Sequence, residues 1–318
     1  MPSEFALIAR HFTRPAQSAR LGVGDDAALL QPGPGMDLAV TSDMLLAGRH
    51  FLADDDAEAL GHKTLAVNLS DLAAMGARPR WALLALALPE ADEDWLTAFS
   101  RGFFALAERH AVELVGGDTT RGPLTLCVTL LGEVEAGQAL TRAGARPGDD
   151  IWVSGDLGGA ALGLAYRLGW IELTPTEAAA CLQRLHVPQP RVALARQLLG
   201  VASACIDVSD GLLADLGHIL ERSGVAGCIE FARLPAHPAL AARIAEPPVQ
   251  RCLLAGGDDY ELCFTAPPEQ AEAVETAARA CGVAVTRIGR ILPGEGLTLV
   301  DAQGAPMSYE ARGYDHFA

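Results

Sequence analysis

Basic residues are scarce in this chain: 24 Lys and Arg stand against 40 Asp and Glu, for a formal net charge of −16 at pH 7 and a pI near 4.8. Binding to nucleic acid or to an anionic membrane surface needs the opposite balance, so both are excluded as partners. The same charge repels a phosphorylated small molecule unless cations mediate. The seven cysteines (127, 181, 205, 228, 252, 263 and 281) are odd in number and contain no C-x-x-C pair, which argues against a disulfide framework and against a zinc ribbon. No apolar run approaches the roughly 20 residues that span a bilayer, the longest being the strand-sized "WALLALALP" at 81–89. The start, "MPSEFALIARHF", has no basic n-region and no long apolar stretch, so we expect no signal peptide and a cytoplasmic location. Aromatics make up only 5% of the residues.

What is present is length and aliphatic content. With 318 residues and 50% hydrophobic composition, the chain can bury a sizeable core, and its length implies about two domains. Helical periodicity appears at 3–12, at 57–76 and at 92–110, where Trp95, Phe99, Phe103 and Leu106 recur at three- and four-residue spacing behind the acidic start "ADED". Strand-like runs lie at 38–42, 82–88 and 124–134. The stretch 133–150 is poor in large apolar residues and rich in Gly, Ala and turn formers, which makes it the domain boundary. We expect an N-terminal domain at 1–138 and a C-terminal domain at 139–318. In the second half "IWVSG" reads as a strand, "GGAALGLAYRLG" as a helix, and "ACIDVSDGLLADLGHILERSG" as strand, turn and helix. Strands at 261–265, 283–290 and 297–300 then surround a helix at 268–281. The fold class is α/β (α+β), with mixed sheets and helices in both domains.

One segment is chemically odd. In "LAVNLSDLAAMGA", residues 65–77, Asn68 and Asp71 interrupt an otherwise apolar helix and share one face of it. A carboxylate among core-forming residues is costly to desolvate unless it is paired, hydrogen-bonded or bound to a metal. An exposed stripe, or a carboxylate held by Lys63, is the plainer alternative.

Acidic steps recur along the chain: "GDD" 24–26, "TSD" 41–43, "LSD" 69–71, "GGD" 116–118, "VSD" 208–210 and "GGDD" 256–259. Any one alone reads as a turn or a helix cap; several fall at expected strand ends or loop-to-helix junctions, where distant segments converge. The G-x-G-x-x-A of "GVGDDA" at 22–27 is a poor dinucleotide fingerprint, since Asp25 and Asp26 occupy the pyrophosphate approach and no strand is expected before it. "ALGHKT" lacks the Gly-Lys step of a Walker loop, and no kinase-type H-R-D is present. What remains is the acidic set Asp26, Asp43, Asp71, Asp118, Asp207 and Asp210. Two carboxylates about 4 Å apart repel by roughly 4 kcal/mol at an effective dielectric of 20, so a shared pocket requires divalent cations or shifted pKa values. Hard oxygen ligands, with Thr41, Ser42 and backbone carbonyls beside them, suit Mg²⁺ better than zinc. The residues point to a metal-assisted phosphoryl-transfer or nucleotide site.

"GDDAALL", "TSDMLLAGRHF", "KTLAVNLSDLAAMGA", "GGDTTRGPL", "LTRAGARPGD", "IDVSDGLLADLGHI", "GGDDYELCFT" and the ending "GYDHF", in this order, together resemble the thiamine-monophosphate kinase family of the aminoimidazole ribonucleotide synthetase-like superfamily. The resemblance implies a two-domain fold of that type, a homodimer, ATP bound near the interdomain cleft, and a reaction in which thiamine monophosphate and ATP give thiamine diphosphate and ADP with several Mg²⁺ ions. Carried over position by position, it implies metal roles for Asp26, Thr41, Ser42, Asp43, Asp71, Asp118, Asp207 and Asp210. It assigns ATP to Gly117, Asp118, Arg142 and Ser209, substrate contacts to His50 and Asp258, and catalysis to Asp71, Asp118, Asp210 and Arg142. Where relatives often carry an aromatic residue two positions before the glycine of the ending, this chain has Ala311, and Tyr309 and Tyr314 are the alternatives for ring stacking.

Without the resemblance, His50, Arg142 and Asp258 each read as structural. The acceptor phosphate is already anionic at neutral pH, so no general base is required, and no His or Cys stands out as a nucleophile: the expectation is direct in-line transfer. The competing readings are another ATP-dependent enzyme of the superfamily, of the cyclo-ligase type, and a non-catalytic Mg-nucleotide-binding module.

Overall fold

The computed structural model describes residues 4–24 and 26–309. It forms two compact units, Met1–Leu72 with Ala77–Gly137, and Ala73–Gly76 with Gln138–Ala318.

The first unit opens with a short helix α1 (Glu4–Leu7) that runs into a π-helical turn at Ile8–Phe12. A four-stranded sheet follows, built from β1 (Met36–Leu46), β2 (Arg78–Leu88), β3 (Glu113–Arg121) and β4 (Thr125–Glu135) in the order β1-β4-β2-β3. Only β2 and β3 run parallel, joined by helix α3 (Glu93–Arg109). Asp92 caps α3 by accepting the amides of Asp94 and Trp95. Helix α2 (Ala57–Ala74) is buried all round: every residue from Leu60 to Ser70 is buried, the polar His62, Lys63, Thr64, Asn68 and Ser70 included. Two glycines let α2 and α3 approach. A Cβ on Gly61 would lie 2.0 Å from the Phe99 carbonyl oxygen, and one on Gly102 would lie 1.8 Å from that of Glu58.

β3 was not expected from the sequence, because Gly116, Gly117 and Asp118 read as a turn. Pairing with β2 overrides that local preference, setting Leu84 opposite Gly117 and Ala85 opposite Asp118. Gly117 has φ +150°, and a Cβ there would lie 1.8 Å from the Leu84 carbonyl oxygen.

The second unit holds a six-stranded sheet of β5 (Asp150–Ser154), β6 (Ala204–Asp207), β7 (Ala226–Glu230), β8 (Leu262–Ala266), β9 (Val285–Leu292) and β10 (Gly296–Val300), ordered β10-β7-β9-β5-β8-β6. All neighbours are antiparallel except β10 and β7. Its helices are α4 (Gly159–Arg167), α5 (Pro175–His186), α6 (Val192–Gln197), α7 (Leu212–Ser223), α8 (Pro238–Ala241), α9 (Pro247–Ala255) and α10 (Ala271–Cys281). The core joins Ile151 and Val153 of β5 and Ile206 of β6 to Leu216 and Ile219 of α7 and Leu253 of α9. Helix α5 starts at a capping box formed by Thr174 and Glu177, with Pro175 at the first helical position.

Candidate functional site

In the first unit the site is built where β1 meets α2. Strand alternation places Thr41 and Asp43 on one side of β1 and Ser42 on the other. Thr41 donates its hydroxyl to the Asp71 carboxylate. The Asp43 amide donates to Asn68 Oδ1 at 3.1 Å, while Asn68 Nδ2 donates to the Thr64 carbonyl at 3.2 Å. Asn68 is fully buried, and it pins the strand that carries Thr41 and Asp43 to the helix that carries Asp71. The polar stripe in the apolar helix is thus the seam between α2 and β1.

The other expected residues of this unit lie as follows. Ser42 Oγ sits 3.0 Å from Thr129 Oγ1 and donates to the Val128 carbonyl at 3.2 Å, so its hydroxyl is on the side of the strand away from Asp71. His50 is in the turn after β1, where Nδ1 accepts the Leu46 amide at 3.0 Å. Asp118 stands exposed in the middle of β3 rather than at a strand end. Asp26 is exposed in a loop closed by the pairing of Leu21 with Leu29, and no helix follows, which removes the dinucleotide fingerprint at 22–27.

In the second unit Asp207 ends β6, and the loop that follows carries Ser209 and Asp210. Its amides at Ser209, Asp210 and Gly211 all donate to Asp215 Oδ2, each at 3.1 Å. Burial pushes the Asp215 carboxyl up to about 7, with the Asp210 charge adding and the three amides opposing. The opposite edge of this loop meets the segment before β8: Asp258 N donates to Ser209 O at 2.9 Å, and Tyr260 N donates to Val208 O at 2.8 Å. Asp258 and Tyr260 both have positive φ, +67° and +49°, and the Tyr260 hydroxyl donates to Asp258 Oδ1 at 2.8 Å. Two strained residues in one short loop are held by the surrounding bonds, a pattern that accompanies functional loops. Arg142 is exposed, and its carbonyl accepts Ser223 Oγ at 3.2 Å.

Asp215, Glu261 and Arg191 of this unit were missed at the level of sequence. Asp215 lies in "LLADLGHIL", an acid within an apolar helix, the same signal that singled out Asp71. Glu261, an acid flanked by Tyr260 and Leu262, is buried and accepts Ser154 Oγ at 2.6 Å and Arg191 Nε at 2.6 Å. Arg191 supplies its compensating charge; an unpaired carboxylate there would be prohibitive. Beside it, desolvation raises the Asp259 carboxyl well above the ordinary carboxylate range, against the Gly158 amide that bonds it at 2.9 Å.

Ala311 and Tyr314 lie outside the described residues. Tyr309 is described, and its hydroxyl donates to the Leu297 carbonyl at 2.8 Å.

The donor set fits magnesium in a particular sense. Among the described residues no three His, Cys, Asp or Glu side chains gather closely enough to hold an ion by themselves. Thr41 and Asp71 nevertheless present adjoining hard oxygens. Mg²⁺ keeps several waters and takes other ligands from substrate phosphates, so a partial oxygen shell is what it requires of a protein.

Comparison with known proteins gives the family. The model of the AIR synthase related protein N-terminal domain matches residues 24–134, and that of the C-terminal domain matches 146–302. The chain is 46% identical to the thiamine-monophosphate kinase of Salmonella typhimurium, over 99% of this chain and 98% of that protein. The crystal structure of thiamine-monophosphate kinase from Stenotrophomonas maltophilia aligns with a TM-score of 0.85 at 51% identity, covering 92% of this chain and 94% of that one. AaThiL complexed with AMPPCP and TMP aligns at 0.79 and 34% identity, over 90% and 89%. Full-length identity at this level, on two matched domains with mixed sheets and helices, means that the chain belongs to the thiamine-monophosphate kinase family.

Proposed function

We propose that this protein transfers the γ-phosphoryl group of ATP to thiamine monophosphate, releasing thiamine diphosphate and ADP. The observation that carries this reading is the alignment over 90% of the chain with AaThiL, a protein complexed with AMPPCP and TMP.

Asp26, Thr41, Ser42, Asp43, Asp71, Asp118, Asp207 and Asp210 would hold Mg²⁺, several ions in all; Ser42, its hydroxyl turned away from Asp71, would offer its backbone carbonyl. Bound there, Mg²⁺ would screen the phosphate charges of donor and acceptor. Gly117, Asp118, Arg142 and Ser209 receive the nucleotide; the exposed backbone at Gly117 is accessible to phosphate, and the exposed Arg142 guanidinium donates to a phosphate oxygen. His50 and Asp258 receive the acceptor, with the Asp258 carboxylate facing the fixed positive charge of the thiazolium. An acceptor phosphate oxygen forms the new bond to the γ-phosphorus as the bond to the bridging oxygen breaks, and the electron pair leaves with ADP. Alignment and charge neutralisation do the catalysis, and no enzyme side chain becomes phosphorylated.

A second copy of the chain is the fitting partner. Met36, Leu38, Val40, Met44 and Leu46 lie on one side of β1 and are exposed, Val40 at 58% and Met44 at 55%. Such an apolar strand face marks an interaction surface, and a homodimer through the N-terminal unit covers it. The protein's proposed location is the cytoplasm; among the described residues no helix is long and apolar enough to cross a membrane.

The test is incubation of the purified protein with Mg-ATP and thiamine monophosphate, with products separated by chromatography. Thiamine diphosphate formation that EDTA abolishes is expected. ATP binding without turnover would select the non-catalytic module instead, and undiminished turnover in EDTA would remove the metal role.

A further inference from the structure

Asp215 sits in the first turn of α7 and is 2% exposed. One of its oxygens gathers three consecutive amides, those of Ser209, Asp210 and Gly211, each at 3.1 Å. Three successive N–H groups aimed at one point fix the backbone dihedrals between them, since each peptide is planar and only φ and ψ remain free. The carbonyls on the other edge of the loop are also engaged: Val208 O by the Tyr260 amide, and Ser209 O by the Asp258 amide. Gly211 closes the turn at φ +117°, where a Cβ would lie 2.7 Å from the Ala255 carbonyl carbon. Among these restraints Asp215 alone is a side chain acting on the loop's donors.

We propose that Asp215 is a positioning residue for phosphate handling: its carboxylate sets the direction in which Ser209 and Asp210 leave the backbone, without touching nucleotide or metal. This rests on the reading of Ser209 and Asp210 given above. A different acceptor could not substitute easily, because three amides directed at the buried Asp215 and left unpaired are disfavoured, and an acceptor displaced by one methylene cannot meet all three at once.

The experiment compares Asp215→Asn, Asp215→Glu and Asp215→Ala with the parent protein by titration calorimetry of AMPPCP in Mg²⁺, alongside thermal melting. Asn keeps an acceptor oxygen at the same reach; Glu keeps the charge but moves it. Asp215→Asn is expected to bind within about threefold of the parent, whereas Asp215→Glu and Asp215→Ala weaken binding about tenfold or more. A role confined to stability would lower the melting temperature without this order of affinities. Glu binding as well as or better than Asn, Ala binding within threefold of the parent, or a folded Asn variant weakened tenfold would each overturn the proposal. Should Ala not fold, the order of Asn and Glu decides. A parent that binds AMPPCP but makes no thiamine diphosphate refutes the proposed activity and leaves this order of affinities to judge Asp215 separately; a parent that binds no AMPPCP refutes both.

Discussion

Thr41 on β1 donates its hydroxyl to the carboxylate of Asp71 on α2, joining residues 30 positions apart. The bond aims the Asp71 carboxylate toward the strand side that also carries Asp43. Replacement of Asp71 by Asn keeps the volume and an acceptor for Thr41 while removing the charge. Asp71→Asn is expected to stay folded and to lose about a hundredfold or more in kcat, as removal of a charge-stabilising group does. Steady-state rates at saturating Mg²⁺ check this, and near-normal turnover would refute the ligand role.

Asn68 makes the seam behind that pair. Asn68→Ala leaves the Asp43 amide without its partner beside a fully buried position, and the expected loss is about 1–3 kcal/mol of stability. Urea denaturation measures it; a midpoint equal to the parent's would show that water or a shifted strand replaces the side chain.

Because His50 Nδ1 accepts the Leu46 amide, the neutral ring carries its proton on Nε2. On the proposed function, that N–H is the group that would meet the acceptor. His50→Ala is expected to raise KM for thiamine monophosphate about tenfold and to leave KM for ATP unchanged. An unaltered acceptor KM argues against the contact.

Acid stability of the first unit depends on Glu133. Burial alone would raise its pKa, but the Gly33 amide at 2.8 Å and the guanidinium groups of Arg78 at 2.9 Å and Arg80 at 2.6 Å outweigh burial and hold it below the ordinary 4.5. A carboxyl depressed by folding contributes stability that is complete above its unfolded pKa and is lost as pH falls through the folded one. Melting temperature should therefore drop below about pH 4.5, and Glu133→Gln should flatten that slope while lowering stability at pH 7. Thermal melts from pH 3 to 7 decide it, and parallel curves for the two proteins would contradict the assignment.

Val40 is the most exposed of the large apolar residues on β1. Val40→Asp places a charge in the proposed dimer face and is expected to yield monomers by light scattering, while the parent elutes as a dimer. A parent that is monomeric at micromolar concentration would discard the interface.

Long periodic elements were legible in the sequence. The helix expected at 57–76 is α2 at Ala57–Ala74, and the strand expected at 82–88 is the end of β2. Apolar spacing reports the local period directly. β3 was illegible because Gly116 and Gly117 lack the side chains that signal a strand, and only pairing with β2 makes them one. The same limit applies to "TSD" at 41–43, which reads as a turn and lies inside β1.

The sequence alone determined the chemistry available: an anionic chain with oxygen donors, no cysteine pattern, and acids inserted into apolar runs where water cannot solvate them. Tertiary structure decided which of those donors meet. Thr41 reaches Asp71, 30 positions away, only once strand register and helix packing fix distances along directions in which the chain itself has no period. Composition and spacing act over a few residues, whereas the placement of a carboxylate against a distant hydroxyl depends on the packing of whole elements.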